Sequence, residues 1–282
     1  ANLSEKTALD GQLLPGLDPN GVPKSLRGTA IPFNVNDFDE LKLKSKGVEK
    51  EIAAIIIEPA RGEDAPKDYL LKLKEFAAEI GAVLIFDEIT SGFRMCNGGI
   101  HMKYGIYPDI AVFSKSIANG YAMAAIIGVE KIMSACQKTF MSSTNWTERV
   151  GPVAAISTIK KIIRNNVVEH NINIGEKVKH IWKEMARKHC LDISISGLST
   201  LISFSFNSPH NQSMMTVFTI EMLKRNILGF RQFKPSFAHS KIELDKYSNA
   251  VDEVFGILSK NDIDRILKSP VAHLGFSRLT SE

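Results

Sequence analysis

Four short apolar runs punctuate the first half of the chain. They are Ile52-Ala53-Ala54-Ile55-Ile56-Ile57, Val83-Leu84-Ile85-Phe86-Asp87, Ile110-Ala111-Val112-Phe113 and Ala122-Met123-Ala124-Ala125-Ile126-Ile127. Unbroken apolar runs of this length are the pattern of strands buried on both faces. Between the first two, Leu70, Leu73, Phe76, Ala77 and Ile80 recur at helical spacing, with Pro66 near the start and Gly81 at the end. Proline inside the start and glycine past the end are helix boundary signals. Apolar strands alternating with a helix predict a parallel or mostly parallel α/β sheet.

The pattern changes past residue 147. Val153, Ile156, Ile159, Ile162 and Ile163 mark one amphipathic helix; Val178, Ile181, Trp182 and Met185 mark another, with a break at Asn165-Asn166. Leu201-Ile202-Ser203-Phe204-Ser205-Phe206 alternates as a strand with one wet face. Tyr247, Ala250, Val251, Val254, Phe255 and Leu258 form a stripe of helical period. These elements predict a large α/β domain over residues 1–165 and a smaller α+β domain over 166–282. Residues 1–46 are rich in turn formers, as in Pro15-Gly16-Leu17-Asp18-Pro19-Asn20-Gly21, and read as a long loop.

Composition narrows the class without naming it. The 282 residues are 44% hydrophobic and 23% charged, which excludes a disordered chain and a disulfide-stapled miniprotein. A net charge of +4, with no concentrated basic tract, gives no reason to expect nucleic acid or a membrane surface as partner. Cys96, Cys136 and Cys190 are odd in number and lack C-x-x-C spacing, which suits a reducing compartment. No basic-then-apolar leader and no membrane-length apolar run stand in the sequence, so a cytoplasmic location is expected. Glycine-rich nucleotide fingerprints, G-x-S-x-G and H-E-x-x-H are absent, and the seven histidines show no metal-ligand spacing.

Two charged residues at strand ends carry the candidate chemistry. Asp87 closes the second apolar run, and Lys115 follows the third after a single serine. Open α/β sheets bind ligands at the carboxyl ends of their strands. Pyridoxal phosphate needs a lysine amine for a Schiff base and a carboxylate to keep its pyridine nitrogen protonated. Ile89, two residues beyond Asp87, would point to the same side and cover one face of the ring if the extended geometry continues.

Ile57-Glu58-Pro59, Leu84-Ile85-Phe86-Asp87-Glu88-Ile89-Thr90-Ser91-Gly92-Phe93-Arg94 and Pro108-Asp109-Ile110-Ala111-Val112-Phe113-Ser114-Lys115-Ser116-Ile117-Ala118-Asn119-Gly120 together resemble the class III pyridoxal-phosphate aminotransferases. The likeness is greatest to the glutamate-1-semialdehyde aminomutase-like branch, and runs on through Ser142-Ser143-Thr144-Asn145-Trp146 to Ser269-Pro270-Val271-Ala272-His273. The resemblance implies the type I pyridoxal-phosphate fold, a homodimer, and transamination of a small amine or amino-aldehyde with a carbonyl acceptor. It implies Lys115 as the Schiff-base lysine and proton shuttle, Asp87 as partner of the pyridine nitrogen and Ile89 as the residue packed on the ring. Ser143 and Thr144 fall where the family contacts the cofactor phosphate across the dimer interface. Glu58 reads equally as a structural or a site-facing carboxylate, and Arg61 and Arg94 as salt-bridged residues or as forks for a substrate carboxylate.

The chain also departs from that family. Ser114 stands where glycine usually precedes the lysine, and Ala118-Asn119-Gly120 replaces a run richer in glycine. Family members carry a segment before the point matching Ala1, with a phosphate-binding loop and an aromatic residue stacked on the ring. The resemblance therefore implies a fragment, or a site completed by another chain, with weak cofactor affinity and poor solubility alone. Three activities stay open: aminotransferase, glutamate-1-semialdehyde 2,1-aminomutase, and an inactive chain that keeps the fold and the dimer surface.

Overall fold

The first three apolar runs form adjacent parallel strands, β1 (Ala54–Ile57), β2 (Val83–Asp87) and β3 (Ile110–Phe113). The fourth run supplies β4 (Ala125–Gly128), antiparallel to β3 at the sheet edge. The computed structural model describes residues 20–60, 62, 65–142 and 147–273. Ahead of β1 lies α1 (Phe38–Ser45), inside the segment expected to be a loop. Its signal is weak because it is short and buries only Leu41 and Ser45, but Asp37 caps it by accepting from the Glu40 amide at 2.8 Å. The helix after β1 is α2 (Lys67–Ile80); Gly81 ends it at φ 79°, where a side chain would be strained.

Alternation along the strands divides the sheet into two faces. Ile55, Ile57, Leu84 and Phe86 point to one, where they share a core with Leu70, Leu73, Phe76 and Ala77 of α2. Ala111 and Phe113 continue that face and pack with Ala155 of α5 (Val150–Arg164). No strand residue on the opposite face is buried: Ile56 and Ile126 are each 60% exposed, and Ile85, Ile110 and Val112 are half-buried. The apolar runs thus prescribe burial on two sides, whereas the described helices cover one. Two short helices also lie in this part, α3 (His101–Tyr104) and α4 (Glu130–Met133).

Beyond α5 the chain turns at Asn165-Asn166, with Asn166 left-handed at φ 49°, into α6 (Val167–Lys188). A second sheet is wholly antiparallel, in the order β5 (Ile193–Ser196), β6 (Ile202–Phe206), β7 (Gln232–Phe233). The expected alternation of β6 is present, with Ile202, Phe204 and Phe206 buried. They pack among Trp182 of α6, Phe218 of α7 (Asn211–Lys224) and Phe255 of α8 (Lys241–Lys260). Inside this core the Trp182 indole donates to the Tyr247 hydroxyl at 2.9 Å. Helix α7 escapes a periodicity search because Met214, Met215, Thr216, Val217 and Phe218 are buried in succession. A helix covered on several sides shows no single stripe. The short α9 (Ile263–Ile266) ends the described helices. A small apolar cluster of Ala60, Ile100, Leu198 and Leu201 brings loops of the two sheets together.

Candidate active site

The carboxyl ends of β1, β2 and β3 meet on the uncovered face of the first sheet. Asp87, the last residue of β2, pairs with Val112 and shares that face with it. Its Oδ1 accepts from the Ile89 amide at 2.9 Å; Oδ2 has no partner among the described residues. Glu58 follows Ile57, whose register partner is Phe86, so it stands beside Asp87 one strand over and is half-buried. On the other side β3 runs through Ser114, whose hydroxyl donates to the Met123 carbonyl at 2.9 Å. Lys115 then turns out of the strand at φ 49°, exposed, and its Nζ donates to Thr90 Oγ1 at 2.8 Å. Among the described residues no carboxylate pairs with this amine.

The turn that carries Ile89 and Thr90 is tied down from beneath. Strand period two puts Glu88 on the face opposite Asp87, and there it is 0% exposed. One carboxylate oxygen accepts from the His101 amide at 3.0 Å and His101 Nδ1 at 2.8 Å; the other accepts from the Ser91 hydroxyl. An ionised carboxylate can only accept, so Nδ1 of His101 carries a hydrogen. Burial pushes the Glu88 carboxyl up, but these bonds and the Ile100 amide outweigh it and hold the group below the usual glutamate range. The Glu88 amide bonds the Val112 carbonyl at 2.9 Å and its carbonyl accepts from Gly92 at 2.8 Å. A Cβ on Gly92 would stand 2.7 Å from both the Glu88 carbonyl oxygen and the Phe113 ring, so only glycine lets the turn close.

Of the residues singled out in the sequence, Lys115, Asp87, Ile89 and Glu58 converge on this edge, with Ile89 half-buried. Regular pairing stops at Asp87, yet alternation of burial continues through Ile89, so it keeps the side of Asp87. Arg94 lies two residues past Gly92 with its Nε buried and without a partner among the described residues, and burial lowers the guanidinium's pKa. Arg61, Ser143 and Thr144 lie outside the described residues. Thr90, Ser91, Glu88 and His101 were not anticipated. An acidic pair at a strand end offered a signal for one of them: period two sends one carboxylate inward, where it needs partners.

The residues present suit pyridoxal phosphate. A carboxylate with an oxygen unpartnered among the described residues ends β2 on an open apolar face, and an amine follows the neighbouring β3 and bonds the turn after that carboxylate, beside an aliphatic side chain. Among the described residues no helix is long and apolar enough to cross a membrane.

The chain is similar to several known proteins. The chain is 30% identical to a 3-aminobutyryl-CoA aminotransferase from Cloacimonas acidaminovorans, over 73% of its own length and 52% of that protein. It is 27% identical to a glutamate-1-semialdehyde 2,1-aminomutase from Methylacidiphilum infernorum, over 88% of its length and 58% of that enzyme. The chain therefore spans between half and two thirds of the length of these relatives. The FumI protein of Sphingopyxis sp. MTA144, in its PLP internal aldimine form, superposes with a TM-score of 0.79 at 23% identity, over 84% of this chain and 59% of that one. That likeness gives the fold, the α/β type I architecture of pyridoxal-phosphate enzymes. The family model of class-III aminotransferases matches residues 24–234, a stretch that takes in β1 through β7 and the whole Asp87–Lys115 edge, and the chain belongs to that family.

Proposed function

We propose that this chain forms part or all of a pyridoxal-phosphate-dependent aminotransferase acting on a small amine or amino-aldehyde with a carbonyl acceptor. One observation carries the reading: Asp87 ends β2 while Lys115 follows the adjacent parallel β3 and reaches Thr90, three residues past Asp87, and Asp87 keeps one carboxylate oxygen without a partner among the described residues. When bound, the cofactor supplies a protonated pyridine ring that withdraws electrons from the carbon beside the substrate nitrogen. Lys115 would hold it through its amine and move the proton at that carbon. Asp87 would face the ring nitrogen and favour its charged form. Ile89 would pack on one face of the ring, and Ser143 and Thr144 would hold the phosphate from a second copy in a homodimer. Glu58 and Arg61 stand as candidates for the substrate side.

The two cores, residues up to 165 and from 166, act as a cofactor-binding domain and a smaller domain, divided at Asn165-Asn166. The unpaired cysteines suit a cytoplasmic enzyme. A second reading, an incomplete chain that keeps the fold but turns nothing over, draws support from the bare sheet face.

Reduction with borohydride in the presence of pyridoxal phosphate separates the two. The Lys115 amine adds to the cofactor aldehyde with loss of water, and hydride fixes the resulting bond as a stable secondary amine. A phosphopyridoxyl mass on the Lys115 peptide, lost in Lys115→Ala and weakened in Asp87→Asn, supports the enzyme. No label at saturating cofactor refutes cofactor binding by this chain.

A further inference from the structure

We infer that Thr90 is a positioning residue: its hydroxyl sets where the Lys115 amine lies, from a turn that the buried Glu88 carboxylate holds in place. The Lys115 side chain is exposed and free to sample many rotamers, and ordering such a chain is entropically unfavourable. Its Nζ nevertheless lies 2.8 Å from Thr90 Oγ1, and this is its only polar contact among the described residues. The hydroxyl in turn has little freedom. Its turn is fixed on the outer side by Asp87 accepting from the Ile89 amide, and on the inner side by Glu88 accepting from Ser91 and His101. Gly92 closes the turn against the Glu88 carbonyl. The left-handed backbone at Lys115, rare for a residue with a side chain, directs the lysine out of β3 toward that hydroxyl. Position 90 thereby couples β2 to the amine on β3, three residues past the carboxylate at position 87.

The inference rests on the reading of Lys115 above, and two readouts keep the failures apart. The first needs no cofactor: trace acetylation with acetic anhydride, in which the amine takes the acetyl group and acetate leaves with the displaced proton. Thr90→Val keeps the shape and removes the acceptor; the released amine reacts about threefold to tenfold faster relative to the exposed Lys74, the span of a partly wetted hydrogen bond's worth. The second is phosphopyridoxyl labelling of Lys115, which falls by a similar factor because the amine is no longer directed. Opposite movement of the two signals is not what general loosening gives, and Thr90→Ser, which restores the hydroxyl, returns both toward the parent values while the melting temperature stays within about 2 °C throughout. Unchanged acetylation in Thr90→Val overturns the contact, whatever the cofactor does. Changed acetylation with unchanged labelling overturns the positioning role. A parent chain that acetylates normally but takes no phosphopyridoxyl label overturns the Lys115 reading and the positioning role with it.

Discussion

Replacing Glu88 by alanine tests the construction of the site from below. Four donors then lose their acceptor in a buried place: the His101 amide, His101 Nδ1–H, the Ser91 hydroxyl and the Ile100 amide, with His101 only 6% exposed. Each buried orphan costs about 1–3 kcal/mol, and dismantling a buried charged cluster about 3–5 kcal/mol in total. Glu88→Gln retains an oxygen for both His101 donors and turns its amide toward the Ser91 oxygen, so about 1–2 kcal/mol is expected. The two cores need not unfold together, so the assay is hydrogen exchange followed by mass spectrometry on peptides spanning β2 and residues 99–104. At pH 7 Glu88→Ala should speed exchange there by about 10²-fold to 4 × 10³-fold, and Glu88→Gln by about tenfold, at 1.4 kcal/mol per decade. The carboxyl is held below its ordinary value in the folded chain. Its contribution is therefore complete above the unfolded glutamate value of about 4.3 and is lost as pH falls through the lower folded value. The gap between the parent and Glu88→Gln should narrow below about pH 4. An alanine variant within tenfold of the parent at pH 7, or a gap that widens in acid, would show that the cluster does not anchor the turn.

Two further substitutions probe the second sheet. A Cβ on Gly175 of α6 would overlap the Ser199 carbonyl in the β5–β6 loop, and backbone there cannot swing aside as a side chain could. Gly175→Ala should lower stability by about 1–3 kcal/mol, read as a drop in urea midpoint followed by Trp182 fluorescence. Tyr247→Phe should cost about 1–3 kcal/mol on the same signal, because the fully buried Trp182 indole loses the acceptor it bonds at 2.9 Å.

Much of this protein is written in short-range pattern. Four unbroken apolar runs fixed four strands, proline and glycine bracketed α2, and the stripes at 153–163, 178–185 and 247–258 became α5, α6 and α8. Asp87 and Lys115 stood out because a charge at the end of an apolar strand has no local explanation, and the adjacency of β2 and β3 gives it one. Three things took their meaning only from the folded chain. Helix α7 is enclosed on several sides, so its apolar residues follow no stripe. The inward Glu88 acquires meaning from His101, thirteen residues away and brought back by the fold. Thr90 is an ordinary turn residue until Lys115 reaches it from the next strand. Periodicity records which side of an element is apolar, because a side chain's direction follows from its own backbone. Which residue waits on that side is settled only when distant segments pack, and the uncovered face beside Asp87 shows a pattern still asking for a neighbour.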